Sequence, residues 1–125
     1  MENFHIEGSH YIPEVNFNAE TGVLEISGES YHEYTIEFFQ PIFDWLKDYT
    51  NDSGKKITLN FRMSYFNTSS SRRFLEMMNI LEDYHFNKEG DVIINWYYEK
   101  TDLDMLESGE EYADDVKVEF NLIAY

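Results

Sequence analysis

The chain has 125 residues, 42% of them hydrophobic and 18% aromatic, and a formal net charge of -16. That is long enough for one well-filled core and too apolar for disorder. The charge disfavours nucleic acid and anionic membrane as partners, and the absence of cysteine removes disulfides, thiol nucleophiles and Cys-based zinc sites.

The opening MENFHIEGSH has neither the basic n-region nor the apolar h-region of a signal peptide, and no apolar run approaches the roughly 20 residues a membrane span requires. A cytoplasmic location is the expectation. Residues 11–17, YIPEVNF, alternate as a short strand, with Pro13 pointing to an edge position. The loop NAETG leads into a second strand, VLEIS at 23–27, and the two predict a hairpin. From about Tyr34 to Tyr49 the spacing of Ile36, Phe39, Ile42, Phe43, Leu46 and Tyr49 predicts a helix, which Pro41 should start or kink. ITLNFRMSYF, 57–66, is the clearest strand, with Ile57, Leu59, Phe61, Met63 and Tyr65 on one face. A helix follows from about Ser70 to His85, then the strand DVIINWYYE. TDLDMLESGEEYADD predicts a weaker, acidic helix interrupted by Gly109, and VKVEFNLIAY closes the chain as a strand.

The order is β-β-α-β-α-β-α-β: an α/β single domain with a mixed, mostly parallel sheet and an N-terminal β-hairpin. No repeat, linker or low-complexity tail breaks it.

Charge is distributed unevenly. Between Lys55 and Leu75 lie Lys55, Lys56, Arg62, Arg72 and Arg73 and no acid, leaving the other 104 residues with four basic and 25 acidic side chains. Inside this segment stands FNTSSSRRF, residues 66–74. It falls where the third predicted strand turns into the second helix, the end of a parallel sheet where functional groups gather. Thr68 or Ser69 is the expected N-cap. One cap accounts for one hydroxyl, not for four followed by two arginines. Two further readings stand beside simple capping. One is a phosphate or nucleotide held by the helix N-terminus between Thr68 and Arg73, although the stretch contains no glycine and matches no phosphate-binding loop. The other is covalent phosphorylation, whose charge the helix dipole and arginines stabilise. Thr68, Ser69, Ser70 and Ser71 are all candidate acceptors; Arg72 and Arg73 would tune the local charge, and Asn67 would shape the turn.

Other chemistry is weakly signalled. His5, His10, His32 and His85 are scattered without metal-ligand spacing. Asp102, Asp104 and Glu107 lack the pattern of a calcium loop and read as a solvated helix. Glu29 and Glu33 around Tyr31 are ordinary loop acids, and no nucleophile elbow is present. The expectation is a protein that is not an enzyme and holds no metal or cofactor. Trp45, Trp96, Tyr97 and Tyr98 read first as core, with Tyr97 and Asn95 alternatively on an exposed sheet face.

Three pieces together resemble the SiaC-type regulatory phosphoproteins, a bacterial family with a STAS-like fold akin to anti-sigma factor antagonists. They are PEVNFNAETGVLEISGESYHEYTIEFFQPIFDWLKDY, YFNTSSSRRFLEMMNILEDYH and the strand around INWYYE, covering about residues 13–99 in the family's order. The family commonly carries proline and asparagine where this chain has His32 and Tyr34. The resemblance implies a STAS-like domain over residues 1–125 and phosphorylation at the threonine of YFNTSS, Thr68. Asn67, Ser69, Ser70, Arg72 and Arg73 would then shape the site or contact partners. It implies a threonine kinase, a PP2C-type phosphatase and a diguanylate cyclase as partners. The unphosphorylated form would bind and promote the cyclase, placing the chain in cyclic di-GMP signalling.

Overall fold

The computed structural model describes residues 1–125. Nine elements follow in chain order: β1 (Phe4–Ile6), β2 (Glu14–Phe17), β3 (Val23–Ser30), α1 (Thr35–Tyr49), β4 (Lys56–Phe66), α2 (Thr68–Asn87), β5 (Asp91–Tyr98), α3 (Leu103–Asp115) and β6 (Glu119–Ala124). The six strands form one sheet whose spatial order is the chain order. β1, β2 and β3 are antiparallel neighbours, whereas β3, β4, β5 and β6 run parallel. Successive right-handed crossovers that each step one position the same way place every helix on the same side. The burial pattern agrees. Ile57, Leu59, Phe61 and Met63 of β4 are buried beneath the helices, with Leu24 and Ile26 of β3 and Val92, Ile94 and Trp96 of β5. The opposite face carries Glu25, Thr58, Asn60, Arg62, Asn95, Tyr97 and Asn121.

The expected fold class and the β2–β3 hairpin hold, with one strand more than the sequence announced. β1 pairs Phe4 with Phe17 and Ile6 with Val15; three residues, FHI, are too short to show a period. β2 begins at Glu14 rather than Tyr11, because Pro13 has no amide to offer a ladder.

α1 neither starts nor breaks at Pro41. It runs unbroken from Thr35 to Tyr49 with Pro41 inside. The bond that Pro41 cannot make leaves the Glu37 carbonyl free, and both residues lie on the exposed side, where water serves it. The buried face holds Thr35, Phe39, Ile42, Phe43, Trp45, Leu46 and Tyr49, whereas Ile36, expected on the apolar stripe, points out.

Nor does Gly109 interrupt α3. The helix continues through it, and a Cβ there would come within 2.4 Å of Trp96 Cδ1. The glycine lets α3 lie directly on Trp96, whose indole N–H donates to the Met105 carbonyl at 2.9 Å. Asp102, one of the acids weighed against a calcium loop, is the N-cap of α3 and accepts from Met105 N–H at 3.0 Å.

Candidate phosphorylation and docking site

β4 passes into α2 through one residue, Asn67. Its backbone is extended and its Oδ1 accepts from Ser70 N–H at 2.9 Å, so Asn67 is the N-cap. The expected caps, Thr68 and Ser69, are instead the first two residues of the helix. The helix begins two positions earlier than its apolar pattern implied, because the cap is a side-chain geometry that the pattern does not record. Asn67 N–H donates to the Ser30 carbonyl at 3.1 Å, tying the turn to the end of β3.

The four hydroxyls behave differently. Ser70 is fully buried; its Oγ donates to the Ser30 carbonyl at 2.8 Å and lies 2.8 Å from Ser30 Oγ. Ser69 Oγ is hydrogen-bonded to Thr35 Oγ1 at the start of α1. Ser71 Oγ lies 2.6 Å from the Tyr112 hydroxyl, which donates to the Ser71 carbonyl at 2.9 Å and so fastens α3 to the start of α2. Burial pushes the Tyr112 hydroxyl up to about 12, against the opposing effect of its hydrogen bond with Ser71. Thr68 alone is exposed and its hydroxyl has no partner within the chain. It sits at the positive end of the helix dipole, where the first amides are unpaired.

The basic segment does not form one patch. β4 carries the chain about 33 Å from Lys56 to Phe66 at 3.3 Å per residue, so Lys55 and Lys56 stand at the opposite end of the strand from Thr68. Lys55 Nζ is engaged with the Tyr49 carbonyl at 2.9 Å and stands over the Tyr49 ring. Arg62 pairs with Glu25 at 2.7 Å on the open face and covers the Tyr97 ring. Arg73 pairs with Glu76 at 2.7 Å and is mostly buried. Arg72 is exposed, makes no ion pair, and stands one turn beyond Thr68 on the same helix face. It is the one cation left free at the site.

Beside Thr68, the ends of β3 and β4 and the start of α1 build a surface that pattern reasoning missed. Tyr31 makes edge contacts with Tyr11 at 5.4 Å and with Tyr65 at 5.6 Å between ring centroids. Tyr11, Tyr34, Ile36 and Tyr65 are each more than half exposed. A cleft of about 410 Å³ opens between Tyr11, Tyr31, His32, Glu33 and Tyr34. His32 Nδ1 accepts from Tyr34 N–H at 2.9 Å, and its ring stacks on Phe38. Tyr34 stands at the N-cap of α1 without a side-chain capping bond, so its ring is free to point outward. The signal available in the sequence was tyrosine density at three strand and helix ends, which only the topology brings together. Glu29 and Glu33 lie on the rim of this surface.

Trp45 and Trp96 are core, while Tyr97 and Asn95 lie on the open sheet face, where Asn121, Asn95 and Asn60 form a hydrogen-bonded ladder at 3.0 and 2.9 Å. Tyr98 is half-buried against the core. The four histidines remain apart, and no three His, Asp or Glu side chains converge as metal ligands. No helix is long and apolar enough to cross a membrane.

The sequence matches the SiaC family, described as regulatory phosphoproteins, over residues 6–125. An uncharacterized protein of Pseudomonas aeruginosa strain UCBPP-PA14 is 28% identical over 125 residues, covering 100% of this chain and 98% of that protein. The fold superimposes on SiaC of Pseudomonas aeruginosa with a TM-score of 0.90 at 27% identity, all of both chains being covered. It matches equally the SiaC chain in a crystal structure of the diguanylate cyclase SiaD in complex with its activator SiaC: TM-score 0.91, 28% identity, 98% of this chain and 99% of that one. With the family's sequence running through β2 to β6 and all three helices, the chain belongs to the SiaC family of regulatory phosphoproteins.

Proposed function

We propose that Thr68 is the phosphorylated residue of this regulator, and that the unphosphorylated chain docks on and activates a diguanylate cyclase in the cytoplasm. A threonine kinase would add the group and a PP2C-type phosphatase remove it. The observation that carries the reading is the partition of the hydroxyls: Ser69, Ser70 and Ser71 are bonded to α1, β3 and α3, and Thr68 is exposed and unpartnered. An acceptor has to enter a kinase site, and a serine with a buried hydroxyl would first have to unfold the helix start. Support for the partner class comes from the SiaC–SiaD complex, whose SiaC chain shares this fold.

The mechanism is local. A phosphoryl group brings about -2 charges and three acceptor oxygens to the border of the tyrosine surface. A partner that packs against Tyr65, Tyr34 and Ile36 would have to strip water from it, which costs several kcal/mol when no cation is supplied. Nucleotide binding at the same helix end is less well supported. The cleft that residues of this helix end themselves line, Ser71 and Arg72 with Leu75 and Tyr112, holds about 190 Å³, short of the roughly 300–1,000 Å³ of small-molecule sites. The 410 Å³ cleft beside it is lined by tyrosines, His32 and Glu33 with no arginine or lysine. The test is to measure binding and cyclic di-GMP synthesis with a diguanylate cyclase of the same organism, using Thr68→Ala and Thr68→Glu. The alanine variant should bind and activate, and the glutamate variant should fold normally but bind at least about tenfold more weakly, the effect of about 1.4 kcal/mol. Equal binding by the two would end the proposal.

A further inference from the structure

The last strand of the sheet leaves an edge that nothing in the chain covers. β6 pairs with β5 alone and is terminal in the sheet. Tyr125 N–H donates to the Tyr98 carbonyl at 3.0 Å, which fixes the alternation. Asn121 and Ile123 turn their amides toward β5, and Phe120, Leu122 and Ala124 turn theirs outward, unpaired. Sheet edges are ordinarily blunted by brevity, proline, a bulge or charged side chains. The opposite edge, β1, is only three residues long. β6 has six residues, and from Phe120 to Tyr125 carries no charge and no proline.

Above this edge lies one flank of α3. Met105, Gly109 and Tyr112 face the sheet, and Ser108, Glu111 and Asp115 line the cleft toward α2. Helical spacing therefore turns Leu103, Leu106, Glu110 and Ala113 over β6, with Glu107 and Asp114 beside them. α3 has no basic residue in its span. The edge is thus a strand with free amides beneath an apolar seam rimmed with carboxylates.

The geometry points to β6 as a strand-addition site for an extended segment of a second protein, apolar at alternate positions and flanked by lysine or arginine. Backbone hydrogen bonds to Phe120, Leu122 and Ala124 would supply the pairing, and Leu106 with Leu122 the apolar contact. The carboxylates of Glu107, Glu110 and Asp114 select a basic segment. They also oppose a second copy of this chain, because two-fold pairing of β6 strands would bring two α3 helices of the same sign together. The site stands apart from Thr68, at the far edge of the sheet from β1, and does not depend on the phosphorylation reading.

The experiment is amide hydrogen exchange by NMR on the full chain, with and without a blocked synthetic peptide that alternates valine with lysine. At about 150 mM salt, where long-range attraction to the acidic surface is screened, the peptide should slow exchange at Phe120, Leu122 and Ala124 by about tenfold or more and leave Asn121 and Ile123 unchanged. Ala124→Pro removes only an outward-facing N–H and should weaken the peptide without unfolding the sheet. Glu107→Lys combined with Glu110→Lys should weaken it about fivefold, and Thr68→Glu should leave it unchanged. Binding without alternate protection would reduce the site to non-specific attraction and overturn the proposal. Protection that appears without peptide and grows with protein concentration would assign the edge to a second copy, and overturn it too.

Discussion

Phosphate at Thr68 should stabilise the fold rather than strain it. The threonine occupies the first position of α2, next to amides that no carbonyl serves, and its hydroxyl gives up no bond on modification. A negative group at a helix N-terminus contributes about 0.3–1 kcal/mol at an exposed position. Arg72, one turn further on and without an ion pair, adds about 0.2–0.5 kcal/mol. The two together come to about 1 kcal/mol. At roughly 2.1 cal/mol/K per residue, a chain of this length unfolds with about 260 cal/mol/K, so the melting temperature should rise by about 4 °C. Calorimetry on chain carrying phosphothreonine at position 68, against the unmodified chain, measures the difference. Arg72→Ala should remove about a third of the rise, and added salt should diminish it. A fall in melting temperature on phosphorylation would refute the reasoning, because it would mean that the Thr68 hydroxyl or its surroundings hold structure that the phosphate breaks.

Two further expectations test the supports of the site. Gly109→Ala gains about 1 kcal/mol of helix propensity yet places a methyl group 2.4 Å from Trp96 Cδ1 and 2.7 Å from Leu122 Cδ2. Overpacking costs about 1–3 kcal/mol, so urea denaturation should show a net loss of about 1 kcal/mol, and a gain would mean that α3 is not seated on Trp96. Tyr112 links stability to alkaline pH. Its hydroxyl is raised from 10 in the unfolded chain to about 12 in the fold, so its contribution is complete below pH 10 and disappears as pH rises towards 12. Two pH units correspond to about 2–3 kcal/mol. Denaturation midpoints between pH 9 and 11.5 should fall more steeply for the native chain than for Tyr112→Phe, and parallel curves would contradict the buried, neutral hydroxyl.

The sheet was legible wherever a strand was long enough to repeat. β4 alternates from Lys56 to Ser64, where a register shift against β3 leaves Tyr65, expected on the buried face, exposed, and β5 alternates over its length. The helices between them forced parallel pairing. β1 was not legible, because three residues carry no period. Gly109 was legible as a residue but not as a fit: propensity counts glycine against a helix, and only the contact with Trp96 explains its presence in one. The same holds for the site. FNTSSSRRF marked the turn from β4 into α2, but the choice of Asn67 as cap depends on one side-chain bond among five neighbouring residues able to make it. The sorting of the hydroxyls depends on Ser30, Thr35 and Tyr112, which lie 34 to 41 residues away in the chain. Nothing local announces such partners. The tyrosine surface was illegible for the same reason, since Tyr11, Tyr31 and Tyr65 meet only where three separate segments end.

The distribution of charge narrows how such a switch can work. A chain at -16 that gains about two charges has changed its overall field by only about an eighth, and beyond about 8 Å in physiological salt that change is screened. The signal must therefore be read within a few residues of the helix start. Had the five bases of residues 55–75 converged, they would clamp a phosphoryl group against the protein and hide it. They do not converge: Lys55 is held by Tyr49, Arg62 by Glu25 and Arg73 by Glu76. Arg72 can orient the group without covering it. The bonds of Ser69, Ser70 and Ser71 to α1, β3 and α3 meanwhile hold the helix start rigid, so there is no loop for the phosphate to order or melt. What remains is steric and electrostatic obstruction at a fixed position beside exposed aromatic rings. On the proposed reading, phosphorylation at Thr68 changes what can dock on the structure while the structure keeps its own shape.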